Sequence, residues 1–359
     1  MDELTSTRGL RTPFLRVAKD GTVLDRSRFT RGGGAGAEVD DQLADDRLAE
    51  LFLDGATLVL QGLHRSWPPL VGFGGALAAE LGHPVQVNAY VTPPQNKGFS
   101  AHFDVHDVFV LQVAGQKRWT IHQPVHPAPL REQEWTRYRA AVERRAAGEP
   151  AIETVLRPGD ALYLPRGWLH SAEALGEVSL HLTVGIHSVT RYALVEAITA
   201  LAAEEPELRA SLPLGVDVAD PDQLSADLAA TVEALAGWLG KLDPAAVADR
   251  VRRRVWTATR PEPVGPLAQA AAAGSVEAVS TVRVRAGLRH RLRPAEGGFL
   301  TLELPDRAIR LPAATEAALR ALLSGQVLAA GELPGLDPAD GRTLLARLLR
   351  ESVVVPVQA

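Results

Sequence analysis

Residues 98–119 read GFSAHFDVHDVFVLQVAGQKRW, and this stretch decides the fold. His102 and Asp104 are separated by one residue. On an extended strand that spacing sets both side chains on one face, within reach of a single ion. The apolar, β-branched run 108–113 follows, then Ala114-Gly115-Gln116 as a turn and 117–122 as a second strand, which is a hairpin signal. A third ligand is available in LYLPRGWLHSA at 162–172, where a short strand and a tight turn deliver His170 to the start of the next strand. Two imidazoles and one carboxylate on one side of a metal form the facial arrangement of non-heme Fe(II) oxygenases, whose opposite face stays open. A bidentate 2-oxo acid and O2 would occupy that face. His-x-Asp alone occurs by chance in many chains, and a histidine drawn from the ten present is more often a surface or core residue than a ligand. Strand context, the apolar strands behind it and a turn–strand–His about seventy residues later separate this pair from that background.

Short strands continue outward from this centre. Residues 56–61 read as a strand and 72–82 as a short helix ending near Gly82. At 85–90, Val85, Val87 and Ala89 alternate with Gln86, Asn88 and Tyr90. Pro158-Gly159-Asp160 and Pro165-Arg166-Gly167 are turns around a strand at 161–164, and 178–184 alternates again. Residues 131–148 are charged and helix-compatible, an insertion between strands. Many short strands punctuated by turns predict a β-sandwich or small barrel. Lys117 shares a strand face with Trp119 and Ile121, and an unpaired buried charge is costly. An anionic ligand such as the distal carboxylate of 2-oxoglutarate would resolve that cost. The alternative is a solvated Lys117 beside the turn with Arg118 turned inward, and spacing alone does not choose. His181 faces the barrel interior if the alternation holds, as a core histidine or a pocket residue. His106 and Asp107 extend the motif towards the pocket mouth. Tyr90 can hydrogen-bond the co-substrate or simply pack.

Composition narrows the chemistry. A chain of 359 residues predicts two or three domains. The absence of cysteine excludes disulfides, zinc–thiolate sites, iron–sulfur clusters and thiol nucleophiles, so any metal takes nitrogen and oxygen ligands. A net charge of −5 argues against wholesale nucleic-acid binding. No long apolar run and no signal-peptide core are present, so a cytoplasmic protein without membrane contact is expected. Three regions are expected: 1–188 with the strands, 189–260 helical, and 265–359 mixed. In the second, Asp220-Pro221 and Asp243-Pro244 are helix starts, and Leu224, Leu228, Val232, Leu235 and Leu239 follow helical spacing. Those amphipathic helices need a partner surface, on the barrel or a second subunit. Arg250, Arg252, Arg253 and Arg254 read as a solvated helix face. Strands at 299–304, 308–311 and 353–357 with helices at 313–323 and 338–351 fit a winged-helix-like module. The helix at 338–351 mixes acids with its arginines, which favours protein contact over direct DNA binding.

The run from Asn88-Ala89-Tyr90-Val91-Thr92-Pro93-Pro94 to Trp119, with LYLPRGWLH at 162–170, resembles the JmjC-type ribosomal oxygenases. These are cupin-fold hydroxylases of ribosomal proteins. TPFLRVAKDG near the start, the acidic helical middle and DGRTLLARLLRESVVVP near the end extend the likeness over nearly the whole chain. The resemblance implies a mainly β plus α chain: a double-stranded β-helix (JmjC/cupin) catalytic domain over 1–188, a helical dimerisation region over 189–260 and a winged-helix-like domain over 265–359. It implies a homodimer, with Fe(II) at His102, Asp104 and His170, and O2 and 2-oxoglutarate as co-substrates. Lys117 would hold the distal carboxylate, which decides the choice that spacing left open, and Asn88 and Tyr90 would lie near the co-substrate. The substrate is then a protein or peptide, possibly ribosomal, and no catalytic residue beyond the metal centre is required. The likeness is closer to the histidine-hydroxylating branch, so histidine is the first expected target and arginine the second. Gly185 departs from related sequences, which tend to place a serine near there beside the substrate. The competing readings are N-methyl-lysine demethylation, a metal cupin independent of 2-oxoglutarate, and a non-catalytic cupin scaffold.

Overall fold

The computed structural model describes every residue except 95, 97, 330, 358 and 359. It divides into two compact units, Met1–Ser188 and Val189–Ala359. In chain order the first unit holds β1 (Leu15–Lys19), β2 (Thr22–Val23), β3 (Thr30–Arg31), β4 (Gln42–Leu43), α1 (Asp45–Leu53), β5 (Thr57–Leu60), α2 (Leu63–Ser66), α3 (Pro68–Leu81) and β6 (Val85–Thr92). There follow β7 (Asp107–Ala114), β8 (Lys117–His122), α4 (Arg139–Ala146), β9 (Ile152–Leu156), β10 (Ala161–Leu164), β11 (Leu169–Ala174) and β12 (Ser179–Ile186). One sheet runs β10-β7-β12-β6-β5-β1-β2 and a second runs β11-β8-β9, with every pairing antiparallel. Side chains of both sheets meet around one cavity, the layout of a double-stranded β-helix.

The hairpin expected at 108–122 does not form. β7 pairs with β10 and β12, whereas β8 pairs with β9 and β11. The chain changes sheets at Gly115, which has φ 63° and whose missing Cβ would lie 2.2 Å from the Val178 carbonyl oxygen. Only glycine fits such a crossing. The partners that decide it are thirty or more residues away, out of reach of a local turn rule. The helix expected at 72–82 starts earlier, at Pro68, because proline is favoured at a first helical position, and stops at Gly82 with φ 71°.

Alternation explains how the ligand segments are anchored. Phe103, between His102 and Asp104, points away from the cavity and is 1% exposed. It packs with Leu169, the neighbour of His170, and with Val142, Trp135 and Tyr138 of the 131–148 insertion. One apolar cluster therefore holds both ligand-bearing segments from behind. Burial of a phenylalanine and a leucine contributes roughly 1.5–3 kcal/mol each.

The second unit contains α5 (Arg191–Ala202), α6 (Pro221–Leu239), α7 (Pro244–Ala258), α8 (Pro266–Gly274), β13 (Thr281–Val284), β14 (Arg291–Ala295), β15 (Phe299–Glu303), β16 (Ala308–Pro312), α9 (Glu316–Leu323), β17 (Leu328–Ala329), α10 (Pro338–Arg350) and β18 (Val354–Pro356). Asp220 and Asp243 cap α6 and α7 by accepting from the N–H groups of Asp222 and Ala245. Leu319, Leu322, Leu345, Leu348 and Leu349 of α9 and α10 form the centre of its core. The arginine run of α7 is not simply solvated. Arg252 pairs with Asp249 and with Glu303 of β15 and lies over the Trp256 ring, while Arg250 and Arg254 pair with Glu204 and Glu196. Acids from neighbouring elements, invisible in the helix itself, draw these cations in. Among the described residues no helix is long and apolar enough to cross a membrane.

Candidate metal centre

His102, Asp104 and His170 converge, with one ligand atom from each lying within 4.8 Å of the others. Backbone pairing sets this up. His102 and His170 exchange N–H···O bonds of 3.2 and 2.8 Å, and Gly167 N–H donates to the Asp104 carbonyl. The turn before His170 is pinned by Asp107, whose Oδ1 accepts from Arg166 N–H at 2.9 Å. His102 Nδ1 lies 2.7 Å from the Ser100 carbonyl, and His170 Nδ1 lies 3.1 Å from the Trp168 carbonyl. Each ring thus donates through Nδ1 and keeps Nε2 as the free acceptor, the tautomer a metal ligand requires. His170 Nε2 stands 3.7 Å from Asp104 Oδ2. Burial raises the Asp104 carboxyl, but His170, His102, His106 and Arg16 outweigh it, and the group stays below its ordinary range. Burial lowers His170 to about 4, so its imidazole is neutral near pH 7. Two imidazole nitrogens and one carboxylate fit a divalent ion such as Fe(II).

Beside the triad is a cavity of about 350 Å³. Its walls include Tyr90, Val108, Val110, His181 and Thr183 from the large sheet and Lys117, Trp119 and His170 from the small one. Lys117 is 3% exposed, donates to Thr92 Oγ1 at 2.9 Å and lies 3.5 Å from His181 Nδ1. Among the described residues no carboxylate pairs with it. Burial lowers its ammonium to about 7. Among the described residues the buried Trp119 indole N–H has no hydrogen-bond partner. A buried cation and an orphaned donor on one wall are the complement of a carboxylate. Arg118, the alternative inward cation, is outside, 3.9 Å from Glu153. His181 stacks on Tyr90 (4.8 Å, 7°) and meets Trp119 edge-on. Burial first, then Lys117, drives His181 well below its ordinary value, and burial raises Tyr90 to about 12. Both are therefore neutral.

Three expected pocket residues lie elsewhere. Asn88 occupies the same face as Tyr90, but it is outside the cavity wall and its Oδ1 accepts from Gly62 N–H at 3.1 Å. His106 does not line the cavity; its Nε2 accepts from Gln86 Nε2 at 3.2 Å and its ring stacks on His187. Gly185 accommodates that ring, since a Cβ there would lie 2.5 Å from His106 Cδ2. Sequence reasoning missed Arg16, Thr92 and Trp135. Arg16 carried one legible signal, a lone charge among Leu15, Val17 and Ala18.

Residues 76–194 match the JmjC domain. The chain is 39% identical over 139 residues to the Drosophila persimilis protein named bifunctional lysine-specific demethylase and histidyl-hydroxylase NO66, covering 37% of this chain and 19% of that one. It is 32% identical over 200 residues to ribosomal oxygenase 1 of Rattus norvegicus, covering 54% and 33%. The chain thus spans a third or less of the length of these curated relatives. The fold is similar to that of the Escherichia coli ribosomal oxygenase YcfD, with a TM-score of 0.52 at 18% identity over 96% of this chain and 86% of that one. A structure of YcfD with cobalt and succinic acid aligns with a TM-score of 0.51 at 18% identity, covering 95% and 86%.

Proposed function

We propose, on the JmjC-domain match over residues 76–194, that the chain is an Fe(II)- and 2-oxoglutarate-dependent oxygenase that hydroxylates a residue of a protein or peptide. The observation that carries this reading is Lys117, a buried cation without a counter-charge among the described residues, in the same cavity as the two-imidazole, one-carboxylate set. His102 and His170 would hold the metal through Nε2 and Asp104 through its carboxylate. When bound, iron and 2-oxoglutarate supply the oxidising power that puts one oxygen atom of O2 into a C–H bond and the other into succinate, with release of CO2. Lys117 receives the distal carboxylate, Thr92 orients the ammonium, and Trp119 N–H is a further donor to the same ligand. The neutral Tyr90 and His181 add no competing charge, and Val108 and Val110 keep water from the reacting atoms.

The first target class is a histidine of a ribosomal protein, and arginine the second. Demethylation of N-methyl-lysine, the other activity in the name of the Drosophila relative, differs only in where the substrate carbon sits. A dimer is supported by α6, on which no residue is buried and Leu228, Val232 and Leu239 are exposed. We place the helical dimerisation region at 189–260, the winged-helix-like module at 265–359 and the protein in the cytoplasm, without direct DNA binding. The test is intact-mass comparison of ribosomal proteins from strains with and without the gene, seeking one protein heavier by an oxygen atom. In vitro, Lys117→Ala should abolish succinate formation. Succinate formation undiminished by that change would overturn the reading.

A further inference from the structure

Arg16 stands in β1 among sealed neighbours: Leu15, Val17 and Ala18 are each 0% exposed. Across the large sheet Arg16 stands opposite Val59, Val59 opposite Tyr90, and Tyr90 opposite His181. These four residues form one row on the cavity face, because cross-strand partners project to the same side. Arg16 lines the cavity with Gly21 and Val23 of the same hairpin, and Val23 is 47% exposed, so this wall borders solvent. Arg16 makes no hydrogen bond or ion pair among the described residues, and its Nε is buried without a partner. A buried N–H donor left unmade, as the Arg16 Nε is, is costly.

The charges of the loaded site do not supply one. On the reading proposed above, the ion's two positive charges and that of Lys117 meet the two carboxylates of 2-oxoglutarate and the one of Asp104. That set is neutral, and Arg16 is left over as a positive charge facing the substrate channel. We infer that Arg16 determines substrate specificity: its guanidinium accepts a target segment that presents a neutral side chain with a hydrogen-bond acceptor, and excludes lysine, methyl-lysine and arginine. The inference rests on the oxygenase reading and sharpens it, since it separates a neutral histidine from the two cationic alternatives.

The test uses three degenerate peptide pools that differ only in a fixed central residue: histidine, arginine or trimethyl-lysine. At about pH 8 the histidine is neutral, its ordinary pKa being about 6.5. Retention of each pool is measured on the full-length protein loaded with Mn(II) and 2-oxoglutarate, and succinate formation on the Fe(II) form. Wild-type protein should favour the histidine pool by about tenfold or more, the effect of a unit charge on the order of 10 Å away at an effective dielectric of about 20. Arg16→Lys should keep that ratio, while Arg16→Met and Arg16→Glu should collapse or invert it. The ratio is internal to each preparation, so partial loss of folded protein does not affect it. Equal or greater use of the cationic pools by wild type, or a ratio unchanged in Arg16→Glu, would overturn the inference and leave the oxygenase reading standing. Failure to bind Mn(II) and 2-oxoglutarate at all would instead remove the reading beneath it.

Discussion

Lys117 makes the affinity for 2-oxoglutarate depend on pH in a calculable way. Burial holds its ammonium at about 7 in the ligand-free protein. The distal carboxylate needs the charged form. Above pH 7 a proton must be taken up with each 2-oxoglutarate bound, and the apparent Kd should rise by about tenfold per pH unit, or roughly 1.4 kcal/mol. Between pH 7 and 9 that amounts to about fiftyfold, and below about pH 6 the dependence flattens. The groups facing Lys117 do not obscure the window: Thr92 does not titrate, His181 is well below it, and Tyr90 is at about 12. The same lysine makes the stability of the ligand-free protein depend on pH. A lysine with a lowered folded pKa binds fewer protons folded than unfolded, so stability should rise with pH from about 7 up to its ordinary range near 10.4. The assay is calorimetric titration of 2-oxoglutarate into Mn(II)-loaded protein, in buffers of different ionisation enthalpy. Lys117→Met should bind weakly with no proton uptake. Affinity independent of pH in wild type, or the same pH profile in Lys117→Met, would refute the reasoning.

Phe103→Ala should cost about 3–5 kcal/mol in a denaturant melt, because it opens a cavity behind the ligand strand, and Mn(II) affinity should fall with it. Gly185→Ser should destabilise by roughly 1–3 kcal/mol through overpacking; since the new Cβ meets the ring of His106 at 2.5 Å, adding His106→Ala should restore the melting temperature. Leu228→Glu with Val232→Glu should leave the melting temperature of the dilute protein unchanged, the two side chains being already 55% and 57% exposed. Light scattering should show the mass fall from dimer to monomer, and an unchanged mass would count against α6 as the dimer contact.

The parts of the site legible in the chain are those with short-range causes. His102 and Asp104 share a face because strands alternate, and Phe103 is turned the other way by the same rule. Pro165-Arg166-Gly167 turns the chain before His170 through local conformational preference. Cap residues Asp220 and Asp243 mark helix starts because they act on N–H groups two residues on. Misreadings arose wherever a distant partner decided. The Ala114-Gly115-Gln116 turn looked like a hairpin, yet the strands on either side join different sheets. Asn88 and His106 looked available to the pocket, yet Gly62 and Gln86 engage them. Arg252 looked solvated, yet Glu303 from another element draws it inward.

By itself, then, the amino-acid sequence determined the spacing of the His-x-Asp pair, the turn that precedes His170 and the identity of a lysine on an apolar strand face. Tertiary structure alone decided that β7 and β8 face each other across a cavity, that Lys117 lacks a counter-charge inside it among the described residues, and that Arg16 enters it from the far end of the large sheet. The physical reason is range. Alternation, capping and turn preference act over a few residues, whereas sheet order and charge pairing depend on which segments, tens of residues apart, bury their apolar faces together.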